Sequence, residues 1–468
     1  MNAGELERKW MDEAIPKKSD STHKIDWMHY IEKGNISDEG LLVDWYSEVP
    51  GSQAPCHLRI ASIQAMRNKG YKVEKAEEYI KEGLIAAENK DFATLQKVSA
   101  KINLELNNAP IDKSSPYHKY KKYTSWKDIS KDVKFDQFEY DCENINFENQ
   151  IKAGWIGQLI GGALGTQMEG FTKSNIEKIY GKNICHYLRT PETYNDDITY
   201  ELVFLEKFLA KGYNITSMDI AEGWLENIAD GYSAEQVALE NLKKGIFPPE
   251  SGIYLNYYSD WIGVQMRTPI HGMVCPGNPE MASKLAIFDG VISHSNSGII
   301  GGMFNAILTS LSFVIHDMKE LLVTSAKYLP QESEYANVVN YSISLCKNCS
   351  DWEEAWSIIE EKFKYYNWIH CYPNVAAQII ALWFGNNIFS LTTGIICGCG
   401  MDTDCTAGPV LNILAISLGL DSIDKSLIDP LENTIKTILR DNRVLTIDKL
   451  VDDTIKATRN ANELTSIK

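Results

Sequence analysis

No stretch of this 468-residue sequence reaches about 18 uninterrupted apolar residues, so a transmembrane helix is not expected. The opening MNAGELERKWMDEAIPKK has no apolar core, so a signal peptide is not expected either. Cations are in short supply: 46 Lys and Arg stand against 63 Asp and Glu, a net charge of −17. Binding nucleic acid in general needs a basic surface to replace counterions, and docking on anionic lipid needs one too, so neither partner is expected. A small phosphorylated ligand in a local pocket stays open. The ten cysteines are scattered and form no disulfide framework, which fits reduced thiols in a cytoplasm. The CxxC at Cys346 and Cys349 and the CxC at Cys397 and Cys399 have no matching second pair, which argues against a zinc site. Regular alternation of apolar and polar residues is missing as well, which leaves few strands to expect.

Helical periodicity is present instead. Residues 58–66, 73–88 and 92–106 carry it in the first part of the chain. Residues 107–134 are rich in Pro, Ser, Lys and Tyr and read as a linker or surface loop. We therefore expect an N-terminal helical region over 1–145 and a mainly helical domain over 146–468. The aromatics of residues 1–52 read as packing anchors of an arm, closed by Pro50-Gly51-Ser52. In the second part, helical patterns recur at 216–227, 233–244, 279–291, 297–316, 333–347, 351–364, 374–384 and 403–419, and the tail beyond Asp421 reads as helix.

Two acidic clusters carry the chemistry. Residues 398–408, GCGMDTDCTAG, place Asp402 and Asp404 one residue apart between glycines and a helical run. In a non-helical segment that spacing sends both carboxylates to one side, where hard oxygen ligands suit Mg²⁺. The plain alternative is a turn at Asp402 and a helix cap at Asp404. Asp196 and Asp197 form a second pair before another helical run, again open to a capping reading. Residues 151–165, IKAGWIGQLIGGALG, offer small residues for close helix packing and lead to Glu169. Arg267 is a candidate for holding a phosphate or carboxylate, or a structural ion pair. The polar run from Ser293 through His294 and Asn296 to Gly298 either caps a helix or lines a sugar pocket.

In that order, these segments resemble the ADP-ribosylglycohydrolase family, of the dinitrogenase-reductase-activating glycohydrolase type, over residues 147 to the 420s. The resemblance implies an all-α fold with two Mg²⁺ (or Mn²⁺) ions at the bottom of a cleft. It implies Asn195, Asp196, Asp197, Asp402, Asp404 and Cys405 around the metals. Glu169, Asp196 and Asp402 become the candidate catalytic residues, and Gly263, Gln265, Arg267, His294 and Asn296 the substrate contacts. The sequence departs from the family pattern at Gly162, where Asp is common, and at Asn195 and Cys405, where threonines are expected. A thiol is a poor partner for Mg²⁺, so Thr406 or a water would take its place. The expected activity is metal-dependent hydrolysis of a ribosyl glycosidic bond in an ADP-ribosylated or nucleotide-like substrate, small or protein-linked. The alternative is a relative that binds ADP-ribose or a nucleotide without turnover.

Overall fold

Four glycines on one helix face determine how closely the two central elements approach. The helix Phe147–Gly165 crosses Thr403–Leu418 through Gly154, Gly157, Gly161 and Gly165. A methyl group on Gly161 would lie 2.2 Å from the Ala407 carbonyl oxygen, and one on Gly165 would lie 2.4 Å from the Asp404 nitrogen. Neither fits, so only glycine allows this approach. Against this pair lies Ser297–Ser312, a helix with every residue buried, flanked by Pro279–Gly290 and Cys371–Phe384. The C-terminal helix Ile447–Ser466 covers the outer side, where Trp155 donates to Thr454 Oγ1 at 3.0 Å. The computed structural model describes residues 2–16, 27–194 and 196–466, with side chains to residue 461 in the last helix. Within them the fold is all-α, and the strands form only two short antiparallel pairs. No described helix is long and apolar enough to cross a membrane.

The expected helices between 216 and 419 fall within a few residues of the observed ones, for example Ser217–Asn227, Ser233–Lys243 and Glu334–Asn348. Three expectations need correction. Residues 398–399 are the end of a helix, Phe389–Cys399, so the acid-bearing connection is only residues 400–402. The tail beyond Asp421 is not continuous helix: short turns and the strand pair Thr434–Lys436 with Val444–Thr446 precede Ile447–Ser466. Residues 107–134 are no loose linker, because Tyr123 is wholly buried and its carbonyl accepts from the Asn296 nitrogen at 2.8 Å.

The N-terminal region has a small core of its own around Trp45, Leu95, Val98 and Ile102. Trp45 donates to Ser99 Oγ at 2.8 Å, and its ring lies on Gly83, where a Cβ would clash at 1.9 Å. Between this core and the main body runs a hairpin that pairs Ser47 with Cys56 and Glu48 with Pro55. Its Val49, Ala54 and Cys56 pack on Phe171 and Trp368.

Candidate active site

The acids are brought together by three elements that the glycine face holds in place. Past the end of Phe147–Gly165 the chain turns back and pairs with the loop before Thr403–Leu418. The Gly170 nitrogen donates to the Met401 carbonyl at 2.8 Å, and the Met401 nitrogen donates to the Phe171 carbonyl at 3.0 Å. These two bonds fix Glu169 beside Asp402. Gly400 has φ +72°, and a Cβ there would meet the Phe171 carbonyl oxygen at 2.1 Å, so this close pairing needs glycine. The third element is the helix Asp196–Lys211, which opens on Asp196 and Asp197. Cys405 Sγ lies 3.4 Å from Asp197 Oδ1, joining residues more than two hundred apart in sequence.

The capping alternatives can now be judged. Asp402 stands at the cap position of Thr403–Leu418, yet its side chain makes no capping bond. Its Oδ1 is buried without a hydrogen-bond partner, although its backbone nitrogen donates to Asn374 Oδ1 at 3.2 Å. Asp404 Oδ1 accepts from the Cys405 nitrogen at 2.9 Å. Asp402, Asp404 and Cys405 bring one ligand atom each within 4.8 Å of one another.

Burial and mutual repulsion push the carboxyls up. Burial, then the charges of Asp404 and Asp402, hold Glu169 well above the usual carboxylate range. Asp402 and Asp197 are likewise raised, chiefly by burial and next by Asp404 and Asp196 respectively. Asp196 is pushed up to about 6 by burial and Asp404. Five carboxyls in one place, with a buried oxygen unpaired, match what a pair of divalent cations requires. The Cys405 thiol does not match: burial drives its proton affinity well up, so it stays S–H and points to Asp197 and, at 3.6 Å, to Met266 Sδ. The Thr406 hydroxyl donates to the carbonyls of Asp402 and Thr403. Asn195 lies outside the described residues.

The acids open onto a cavity of about 310 Å³. Glu169, Asp196 and Asp404 form its floor, and Glu169 and Asp196 keep part of their surface open. Tyr194, Tyr232, Trp368 and Ile438 supply aromatic and apolar sides. Ser47, Glu48, Val49, Pro50 and Cys56 close it from the N-terminal hairpin. Among the described residues, no Lys, Arg or His lines it. Sequence reasoning missed all of these wall residues. Tyr194 had a signal in its place beside the 195–197 acids; the hairpin had none.

The expected substrate contacts lie elsewhere. Gly263, Gln265, Arg267, His294 and Asn296 are buried, and none borders the cavity. The Arg267 guanidinium is held by Asp289 (2.8 Å), Glu235 (2.8 Å), the Gly263 carbonyl (2.7 Å) and Ser293 Oγ (2.9 Å). Tyr200 and Trp224 flank it with ring centroids at 5.2 and 4.9 Å. It is an internal ion-pair residue, with its donors committed to the protein. Gln265 accepts from Tyr335 Oη at 2.7 Å within a buried amide network. His294 bonds Ser293 Oγ through Nδ1 and is kept neutral by burial and the nearby Arg267. Asn296 donates to Tyr117 Oη at 3.3 Å, under the N-terminal region.

Residues 143–463, well over half of the chain, match the model of the ADP-ribosylglycohydrolase family. One solved structure, described as an ADP-ribosylglycohydrolase-related protein complex, is 16% identical, with 68% of this chain and 99% of that chain covered and a TM-score of 0.49. Among curated proteins, none matches.

Proposed function

Because the chain is a member of the ADP-ribosylglycohydrolase family, we propose that it hydrolyses a ribosyl glycosidic bond at the carboxylate-floored cavity, with divalent cations as cofactor. One observation carries this reading: Glu169, Asp196 and Asp404, from three distant segments, meet at one cavity, with Asp197 and Asp402 buried against them and no cation among the described lining residues. Asp196, Asp197, Asp402 and Asp404 would hold Mg²⁺, with Mn²⁺ as the alternative. Divalent cations held there would neutralise the acids and would supply Lewis acidity toward a bound water.

The protein's own part is positioning and proton transfer. Water oxygen bonds to the anomeric carbon while the glycosidic bond breaks and its electron pair leaves with the aglycone. Glu169 takes one proton from that water and passes it to the leaving atom, or to solvent where the aglycone leaves as a neutral base. The surrounding carboxylates favour the oxocarbenium character that builds on the sugar. Cys405 acts as a donor to Asp197 and fixes that carboxylate without being a ligand.

The test is hydrolysis by wild type and by the double variant Asp402→Asn/Asp404→Asn, measured by product analysis across ADP-ribosylated protein, nucleotides and nucleosides with Mg²⁺. We expect turnover that depends on Mg²⁺ and is lost in the variant. Turnover retained in the variant contradicts the reading, and binding of ADP-ribose without turnover in wild type marks a relative that has lost catalysis.

A further inference from the structure

We infer that the N-terminal hairpin, residues 47–56, is the specificity-determining wall of the cavity, and that it receives the aglycone of a ribosylated small molecule whose leaving group is aromatic and not anionic. The inference rests on the hydrolytic reading above and adds the substrate class. The hairpin precedes the family-matching residues 143–463, so this wall comes from outside the matched segment.

The hairpin is seated where it can act. Gly51, at φ +97°, lies so close to the end of the glycine-faced helix that a Cβ would come 2.3 Å from Thr166 Cγ2. Ala54 lies against Gly170, next to Glu169, where a Cβ would come within 2.5 Å. Cys56 Sγ and Tyr232 Oη are 2.6 Å apart, which ties the hairpin to the opposite side of the cavity. Val49 and Pro50 therefore face the same space as the acids, and a ribose held at the floor directs its aglycone toward them.

Lining chemistry selects the aglycone. Val49, Pro50 and Ile438 with the rings of Tyr194, Tyr232 and Trp368 suit a flat apolar or aromatic group. The charges in the lining are all negative, Glu48 at the rim and Glu169, Asp196 and Asp404 below. Cations bound at the floor would offset the lower three, and Glu48 at the rim disfavours an anionic group on the aglycone and favours a neutral or positive ring. At about 310 Å³ the cavity lies at the low end of small-ligand sites.

The experiment compares kcat/KM of the full chain with Mg²⁺ for three probes: a pyridinium riboside, the riboside of a carboxylated pyridinium, and ribosyl fluoride, whose leaving group is too small to reach the wall. In wild type the riboside should outpace both its carboxylated form and ADP-ribosylated protein. In Val49→Ala the ratio of riboside to ribosyl fluoride should fall roughly tenfold, the scale of lost methyl contacts. Glu48→Lys, at an exposed position, should narrow the preference for riboside over its carboxylated form several-fold, roughly. Equal loss for all probes in Val49→Ala, or no change in either variant, overturns the wall's role. A wild-type preference for the carboxylated riboside or the protein substrate overturns the substrate class. Hydrolysis of none of the probes, ribosyl fluoride included, overturns the glycosidic reading itself and this inference with it.

Discussion

Two buried charge clusters lie close together in this protein and differ in whether the chain supplies a bonded cation. Around Arg267, the carboxylates of Asp289 and Glu235 have a cation supplied by the chain, and Asp289 is held below the usual range although burial opposes it. Among the described residues no cation bonds the carboxylates around Asp402 and Asp404, and every carboxyl is pushed up. The first cluster is complete as folded; the second is complete only with positive charge from outside. A buried acid pair with its counter-ion in the sequence is structure, and one without it is a site.

The comparison can be broken most strongly from the satisfied side. Arg267→Met strands Asp289 and Glu235 in the interior, and we expect a loss of about 3–5 kcal/mol in chemical denaturation. Loss of activity in that variant should track loss of folded protein, since Arg267 does not border the cavity. A mid-sized effect concerns the scaffold beneath both clusters. Gly161→Ala presses a methyl onto the Ala407 carbonyl, and overpacking should cost about 1–3 kcal/mol by the same measurement.

The smallest effect has the opposite sign. In the metal-free protein, Asp402→Asn removes one repelling charge and should raise the melting temperature, by on the order of 2–4 °C if it contributes about 1 kcal/mol. The pH dependence follows from the raised carboxyls. Their folded affinity for protons exceeds the unfolded one, so their stabilisation is full below about pH 4, the unfolded carboxylate range, and is lost as pH rises through about 6, where Asp196 titrates. Glu235, pushed up to about 7 by burial, acts in the same direction. Metal-free protein should therefore melt lower at pH 8 than at pH 5. That difference should shrink in Asp402→Asn and in saturating Mg²⁺. A wild-type melting point that rises from pH 5 to pH 8 without metal would contradict the unneutralised-cluster picture.

Legibility in the sequence followed the kind of signal. Helices such as Ser217–Asn227 and Trp352–Phe363 were readable because their apolar stripes recur at helical spacing between caps and breakers. Gly398 and Cys399 read as loop because glycines stand at 398 and 400, yet packing against neighbouring helices overrides that propensity. The acids were readable because an acidic pair opening a helical run occurs in two places at once. Arg267 was not placed correctly: nothing in WIGVQMR separates an arginine lining a pocket from one clamped by Asp289 and Glu235, which lie on other helices. The hairpin wall was invisible for a similar reason. Val49 and Cys56 have no chemical signature, and they gain a role only when folding places them more than a hundred residues away beside Glu169.

The central claim is that the carboxyls around Asp402 and Asp404 form a site that lacks only divalent cations. Calorimetric titration of metal-free protein with Mg²⁺ at pH 6, in two buffers of different ionisation heat, tests it most directly. The account predicts saturable binding with release of protons from the raised carboxyls, lost in Asp402→Asn/Asp404→Asn and kept in Glu48→Lys. Absence of binding, or binding of equal strength in the double variant, would contradict it.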